Sequence, residues 1–536
     1  MTLLVLLVAG GDPPAHRNEA HYLCRLKHYW DPGYCAGDLF LESPDAHFTV
    51  VWLFGWVTRV VSLEATAWLG RGVSWLLLAW AWQRLISRLA APAWLAPLGM
   101  AAIVTLTEQT HFAGEWLVGG FEAKTLAYPL VIFALCDAMD GRWNRAWALL
   151  GGASALHALV GGWSVVALLV AWLGLRTRGA PPFWAMTPGL AVGAALSLAG
   201  VGPALALNVG TPGDVVAEAN QAYVFTRLPH HLAPLTKPWG WIGERAGRHA
   251  VAIALLWLAG RWNRAQAPSP RRESLALLVR FAWGAELISF AGLAIETALW
   301  NQPERAAALL RYYWFRLGDI AAPLATVAVG VAVLSDSLGN RTRAGLAALA
   351  VAVSGCVAHH AAYVAERWQG PVAPADQLMT DPIAWQSMCE WVQANTPQDA
   401  LFLLPRRSHT FKWRAERAEV VTYKDVPQNA EGLVEWRRRF HDVYRVGFWE
   451  NGDPRWARSL AALGGSRLRE LGAEYGAAFA LDQAPRVQAT NGRPPARASL
   501  PVVHQIGPYT LYWLGDPTAA PTFATPISPP SPTPPP

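Results

Sequence analysis

Hydrophobic positions in this chain fall in long runs, not in the alternating or three-and-four spacing of half-buried soluble elements. The runs 65–86, 91–107, 183–208, 275–298, 317–337 and 344–365 approach or reach the roughly 20 apolar residues a helix needs to cross a bilayer. Weaker runs cover 126–139, 146–158, 160–175 and 249–260, and a short one opens the chain at 1–11. The pattern predicts about eleven transmembrane helices. Residues 146–175 carry no formal charge and contain Gly151-Gly152 and Gly161-Gly162, which fits one long helix or two short ones.

Arginine clusters close these runs: Arg84/Arg88, Arg142/Arg145, Arg176/Arg178, Arg261/Arg264/Arg271/Arg272 and Arg341/Arg343. With two helices in 146–175 every cluster lies on one side, as the excess of Lys and Arg in cytoplasmic loops requires. The expected arrangement is an all-α polytopic bundle over 1–366 in the cell inner (cytoplasmic) membrane, with its N-terminus inside. Polar segments 12–64 (the first outer loop), 108–125, 209–248 and 300–316 then face outward. Charge density rises after the last run. Helix-like Trp385–Ala394, closed by Asn395-Thr396-Pro397, is followed by strand-like 400–404, which predicts a soluble α/β domain over 367–516 on the outer face. The Pro-rich tail 517–536 reads as extended and disordered.

Composition agrees with a membrane chain. Of 536 residues, 53% are hydrophobic and 15% charged, against about 25% charged in soluble domains, so separate soluble domains would lack their charged shells. The mean hydropathy of +0.19 is modest for a wholly membrane chain, in keeping with a water-facing part. Of the 44 basic residues 39 are Arg, scattered at helix ends; the net charge of +6 therefore reads as topology and excludes a nucleic-acid partner. No P-loop, GxSxG elbow, HExxH or CxxC pair is present, which argues against nucleotide-driven chemistry.

The polar segments carry the candidate chemistry. Segment 12–64 holds Asp12, Glu19, Asp31, Asp38, Glu42 and Asp45 among His16, His21, His28 and His47. Glu108, His111 and Glu115, spaced i, i+3, i+7, share one face if helical, and fit either a divalent cation or a solvated stripe. Arg311-Tyr312-Tyr313-Trp314-Phe315-Arg316 offers two guanidinium groups to phosphate oxygens, or forms an aromatic belt with snorkelling arginines. Arg227-Leu228-Pro229-His230-His231 is a second anion-binding candidate. Arg280, Glu286 and Glu296 lie at membrane depth and must face the bundle interior.

The order Asn18-Glu19-Ala20-His21-Tyr22-Leu23, Asp31, then Gly37-Asp38-Leu39-Phe40-Leu41-Glu42-Ser43 and apolar 47–61 resembles the first extracytoplasmic loop of the GT-C membrane glycosyltransferases. That class includes protein O-mannosyltransferases and lipid A aminoarabinose transferases. More closely, Gly114-Glu115-Trp116-Leu117, Phe121-Glu122-Ala123-Lys124 and Thr410-Phe411-Lys412-Trp413 resemble an uncharacterised bacterial multi-pass family. The GT-C resemblance implies transfer of a sugar from a polyprenyl-phosphate donor to an outer-face acceptor. Asn18 stands where the class has the first of two acidic residues, leaving Glu19, then Asp38, as the expected catalytic carboxylates. Arg311, Arg316, Arg227, His230 and His231 become the expected donor-phosphate ligands; no resident cofactor is implied, with a divalent cation left open at Glu108, His111 and Glu115. The competing readings are a non-catalytic protein on the same frame and a transporter or lipid-flipping protein, for which matching broken repeats are not seen.

Overall fold

The computed structural model describes residues 1–175, 180–450, 452–485, 497–516 and 518. Arg176/Arg178 and, Thr518 apart, the 517–536 tail lie outside the described residues. The chain divides into two compact units. The first comprises 1–31, 43–375 and 426–437; the second comprises 32–42, 376–425 and the residues from 438 onward.

The first unit is helical. Each predicted apolar run lies on a helix: Thr2–Gly10, Leu63–Arg88, Leu95–Thr110, Ala123–Met139, Trp143–Leu156, Ala158–Leu173, Phe183–Ala206, Trp239–Ala265, Pro270–Ala298, Gly318–Gly339 and Arg343–Gln369. Four of these, Phe183–Ala206, Pro270–Ala298, Gly318–Gly339 and Arg343–Gln369, are long and apolar enough to cross a membrane. Capping defines their starts: Ser269 accepts from the Arg272 N–H just before Pro270, and Thr342 accepts from that of Gly345. Val351, Val353 and Val357 of Arg343–Gln369, and Leu196, Leu198 and Leu205 of Phe183–Ala206, stay exposed. Apolar faces of this extent suit lipid, not water.

The 146–175 segment does form two helices, but the break is at His157 (φ −146°, ψ 99°), not at the glycine pairs. One glycine of each pair serves packing. A methyl on Gly151 would meet the Gly193 carbonyl oxygen at 2.2 Å, and one on Gly161 would meet Ser154 N at 2.2 Å. Backbones approach closely there, the small-residue packing typical of helices in lipid.

The second unit holds a five-stranded sheet in the order β2-β1-β5-β7-β6, from β1 (Leu401–Leu403), β2 (Ala418–Glu419), β5 (Phe479–Gln483), β6 (Val502–Ile506) and β7 (Tyr509–Trp513). β1 runs parallel to β2 and β5, while β7 is antiparallel to β5 and β6. A separate hairpin pairs β3 (Arg445–Phe448) with β4 (Pro454–Trp456). Helix Pro382–Asn395 is capped by Asp381, which accepts from the N–H groups of Ile383 and Ala384. It buries Trp385, Met388, Cys389 and Val392 with Phe402, Phe411, Phe479, Tyr509 and Leu511.

Asp38 belongs to this unit. Its carboxylate caps the turn Leu39–Glu42, accepting from Phe40 N at 3.1 Å and Leu41 N at 3.0 Å. It also accepts from Glu419 N at 3.2 Å and lies 3.3 Å from Lys412 Nζ. Lys412, 3% exposed, is bound at 2.6 Å by both Glu419 and Asp425. Burial works against the ammonium, but Asp38, Asp425 and Glu419 overcome it and raise the Lys412 pKa. One cation cannot balance three buried carboxylates. Burial, reinforced by Asp425 and Asp38 against the pull of Lys412, moves Glu419 up to about 8, so it keeps its proton at neutral pH.

Candidate functional site

A buried polar cluster in the first unit joins residues from all four polar segments. Its foundation is Asp319, at the start of Gly318–Gly339, whose carboxylate accepts from Phe112 N (2.6 Å), Ala113 N (3.0 Å) and Glu115 N (3.1 Å). Helix Leu95–Thr110 therefore stops at Thr110, with His111 extended (φ −61°, ψ 140°), and the chain folds back over residues 111–115.

That turn presents Glu115. Its Oε2 lies 2.9 Å from Arg316 Nε, and its Oε1 lies 3.0 Å from Lys124 Nζ and 3.4 Å from the Tyr128 hydroxyl. Lys124 sits 3.8 Å over the Trp116 ring and 3.8 Å from Glu122. Arg316 lies 4.1 Å over the Tyr313 ring, and its Nη1 is 2.9 Å from His157 Nε2. Burial opposes the Arg316 charge, but Glu115 and Tyr313 raise its pKa above the ordinary guanidinium value. The Tyr313 and Tyr223 hydroxyls pair at 2.8 Å.

Segment 209–248 adds His231, which donates from Nδ1 to the Ala113 carbonyl and whose ring centre is 6.2 Å from that of Tyr313. Burial, then His230, lowers the His231 pKa well below the ordinary histidine value and keeps it neutral. Gly114, at φ +81°, lies under this ring; a methyl there would be 3.2 Å from His231 Cε1 in a left-handed conformation that favours glycine. Segment 12–64 adds His47, whose ring is 5.3 Å from that of His157, and Tyr22, 5.5 Å from His47. Burial raises the Tyr22 pKa, with Glu122 acting in the same sense, so it stays a neutral phenol. Burial works to raise Asp45, yet Arg25 and the hydrogen bond from His47 hold it well below the usual carboxylate range.

Of the residues singled out in the sequence, Arg316, His230, His231 and Glu115 come together here; the His230 and His231 rings are 4.1 Å apart. Arg311 turns to Asn220 Oδ1 at 2.6 Å, and Arg227 is buried at the end of the π-helical turn Ala222–Arg227. Glu19 is fully buried and already holds four donors: Arg71 Nε (2.6 Å) and Nη2 (2.5 Å), His16 N (2.7 Å) and Phe121 N (2.7 Å). Such a bidentate, saturated carboxylate anchors segments to one another.

The Glu108–His111–Glu115 stripe does not share a helical face, because Asp319 ends the helix after Thr110. Glu108 takes His359 (3.1 Å) and the Tyr363 hydroxyl, His111 takes Arg245, and Glu115 takes Arg316 and Lys124. Burial and Arg245 bring His111 down to about 4. Among the described residues no group of three or more His, Cys, Asp or Glu side chains is placed to hold a metal ion. The membrane-depth carboxylates do face inward. Glu286 accepts from His249 Nε2 at 3.0 Å, and Glu296 accepts from Leu235 N at 2.8 Å.

Lys124, Tyr22, His157 and Tyr313 are members of the cluster that sequence reasoning did not assign a role. The available signal was Lys124 itself, one of five lysines, at the start of an apolar helix beside Glu122.

Residues 383–443 match a sequence family described as "Domain of unknown function (DUF6798)". No curated protein sequence matches the chain. Among solved structures it is similar to the Archaeoglobus fulgidus oligosaccharyltransferase in complex with zinc and sulfate, at 11% identity, covering 90% of this chain and 67% of that one, with a TM-score of 0.43. It is also similar to ArnT from Cupriavidus metallidurans bound to undecaprenyl phosphate, at 13% identity, 97% and 98% coverage and a TM-score of 0.39. A third is AglB from Archaeoglobus fulgidus with an inhibitory peptide and a dolichol-phosphate, at 12% identity, 90% and 68% coverage and a TM-score of 0.43.

Proposed function

We propose that this chain is a membrane glycosyltransferase that moves a sugar from a polyprenyl-phosphate donor to an acceptor on the outer face of the cytoplasmic membrane. The observation that carries the reading is the Arg316–Glu115–Lys124 cluster, in which two cations share Glu115 and Lys124 also reaches Glu122, where the four polar segments meet. Arg316 and Lys124 supply donors for the lipid phosphate, with neutral His231 and the Tyr223–Tyr313 hydroxyl pair beside them. In the transfer the bond from the sugar anomeric carbon to the phosphate oxygen breaks, and the acceptor oxygen or nitrogen bonds that carbon. The electron pair leaves with polyprenyl phosphate. The acceptor proton passes to Glu115, released from its cations as the phosphate takes their donors. Glu19 and Asp38, saturated by Arg71 and by Lys412 with its neighbours, keep the framework in place.

The test is turnover of a polyprenyl-phosphate-linked sugar by the intact chain and by Arg316→Ala, Lys124→Met and Glu115→Gln variants in membranes. The expected result is turnover in the parent and its loss on the order of 100-fold in each variant. Absence of turnover in the parent across a panel of lipid-linked sugars would favour the non-catalytic frame, and unchanged turnover in all three variants would overturn the site.

A further inference from the structure

Remote from any sugar chemistry, helices Leu63–Arg88 and Ala123–Met139 end side by side, where Trp143–Leu156 begins. Four arginines meet two aspartates there. Arg84 and Asp137 are paired, and Arg88 grips Asp140 from Nε (2.9 Å) and Nη2 (2.5 Å). Arg142 binds the same Asp140, and Arg145 Nε lies 3.3 Å from Asp137 Oδ2. Two positive charges are left over. The most open guanidinium groups belong to Arg142 and Arg145, whose side chains are 47% and 62% exposed.

The cluster also ends an apolar track. Leu69, Val73, Leu76 and Trp80, spaced i, i+4, i+7, i+11, share one face of Leu63–Arg88, and all four are exposed, Trp80 at 63%. The track is about 16 Å long, close to half the hydrocarbon thickness. One helical turn beyond it stands Arg84, whose guanidinium is 5.7 Å from the Phe133 ring that Trp80 meets edge-on at 4.9 Å. An exposed acyl-length face ending in surplus guanidinium charge is complementary to an anionic lipid.

We infer that this corner binds an anionic phospholipid, its phosphate on Arg142 and Arg145 and one acyl chain along Leu69, Val73, Leu76 and Trp80. The site serves the fold and is independent of the proposed transfer reaction. Arginines near an anionic surface each contribute enough that losing two weakens binding on the order of thirtyfold.

The experiment uses the full chain in zwitterionic detergent, following its thermal unfolding midpoint during titration with phosphatidylglycerol, phosphatidylcholine or inorganic phosphate. Phosphatidylglycerol is expected to raise the midpoint saturably, with neither of the others doing so. R142Q/R145Q should shift the titration on the order of thirtyfold. R145Q alone, at the most exposed position, gives a smaller shift and serves if the double variant does not fold. Equal effects of the two lipids, or an unshifted titration in R145Q and the double variant, overturn the site. An effect reproduced by inorganic phosphate overturns the lipid and leaves an anion site.

Discussion

Two buried charge clusters use the same ingredients to different ends. Around Lys412, one ammonium is enclosed by Asp38, Glu419 and Asp425, all nearly inaccessible and all within one compact unit. Around Glu115, one carboxylate is shared by Arg316 and Lys124, and the outer ring is neutral and titratable: Tyr22, Tyr128, Tyr313, His157 and His231. Excess acid makes the first a knot, closed by a proton that Glu419 retains. In the second, Arg316 and Lys124 are matched by Glu115 and Glu122. What separates the two clusters is whether their buried charges balance and whether spare hydrogen-bonding groups stand around them, more than burial itself.

The sharpest break of this contrast is Lys412→Met. It strands three carboxylates, and the second unit should lose about 3–5 kcal/mol, read as earlier thermal unfolding and faster proteolysis of 376–516. Arg316→Ala should cost the first unit less stability, because Lys124 still holds Glu115, while lowering lipid-linked sugar turnover on the order of 100-fold. Glu19→Gln tests the third kind of buried carboxylate. It should cost roughly 2 kcal/mol of stability by loosening Arg71, with turnover per folded molecule unchanged. If turnover collapses while the unfolding midpoint holds, Glu19 is the base after all.

A further test is pH. Glu419 titrates near 8 when folded and about 4.3 when unfolded, so the folded unit binds the extra proton between those values. Its contribution is complete below the unfolded value and is lost as pH rises through 8, by at most about 1.4 kcal/mol per pH unit. Unfolding of the second unit followed from pH 5 to 9 should show stability falling, and Glu419→Gln should flatten the slope.

The helical runs were legible because crossing lipid demands an uninterrupted apolar stretch, a constraint written locally in the chain. The split of 146–175 was legible too, from charge sidedness, and its position fell within about two residues of His157; Gly151 and Gly161 are instead where backbones touch. The site was less legible, since its shape depends on distant partners. Spacing allowed Glu108, His111 and Glu115 one helical face, but Asp319, 204 positions beyond Glu115, takes the amide hydrogens that helix would use. Asp38 looked like a candidate base until Lys412 and Glu419, from the far end of the chain, occupied it. Arg316 and His231 were found because charge and imidazole on an apolar background are conspicuous. Lys124 was passed over because a lone lysine at a helix start looks like an ordinary anchor.

Asp319 has a mechanical consequence. Its carboxylate belongs to the first turn of a helix built to cross the bilayer, while the three amides it grips belong to the turn that carries Glu115. The two are clamped end to end, with no slack residue between helix and loop. Any tilt that this helix adopts to suit a thicker or thinner bilayer therefore moves the Glu115 turn and the adjoining Arg316 together, as one piece.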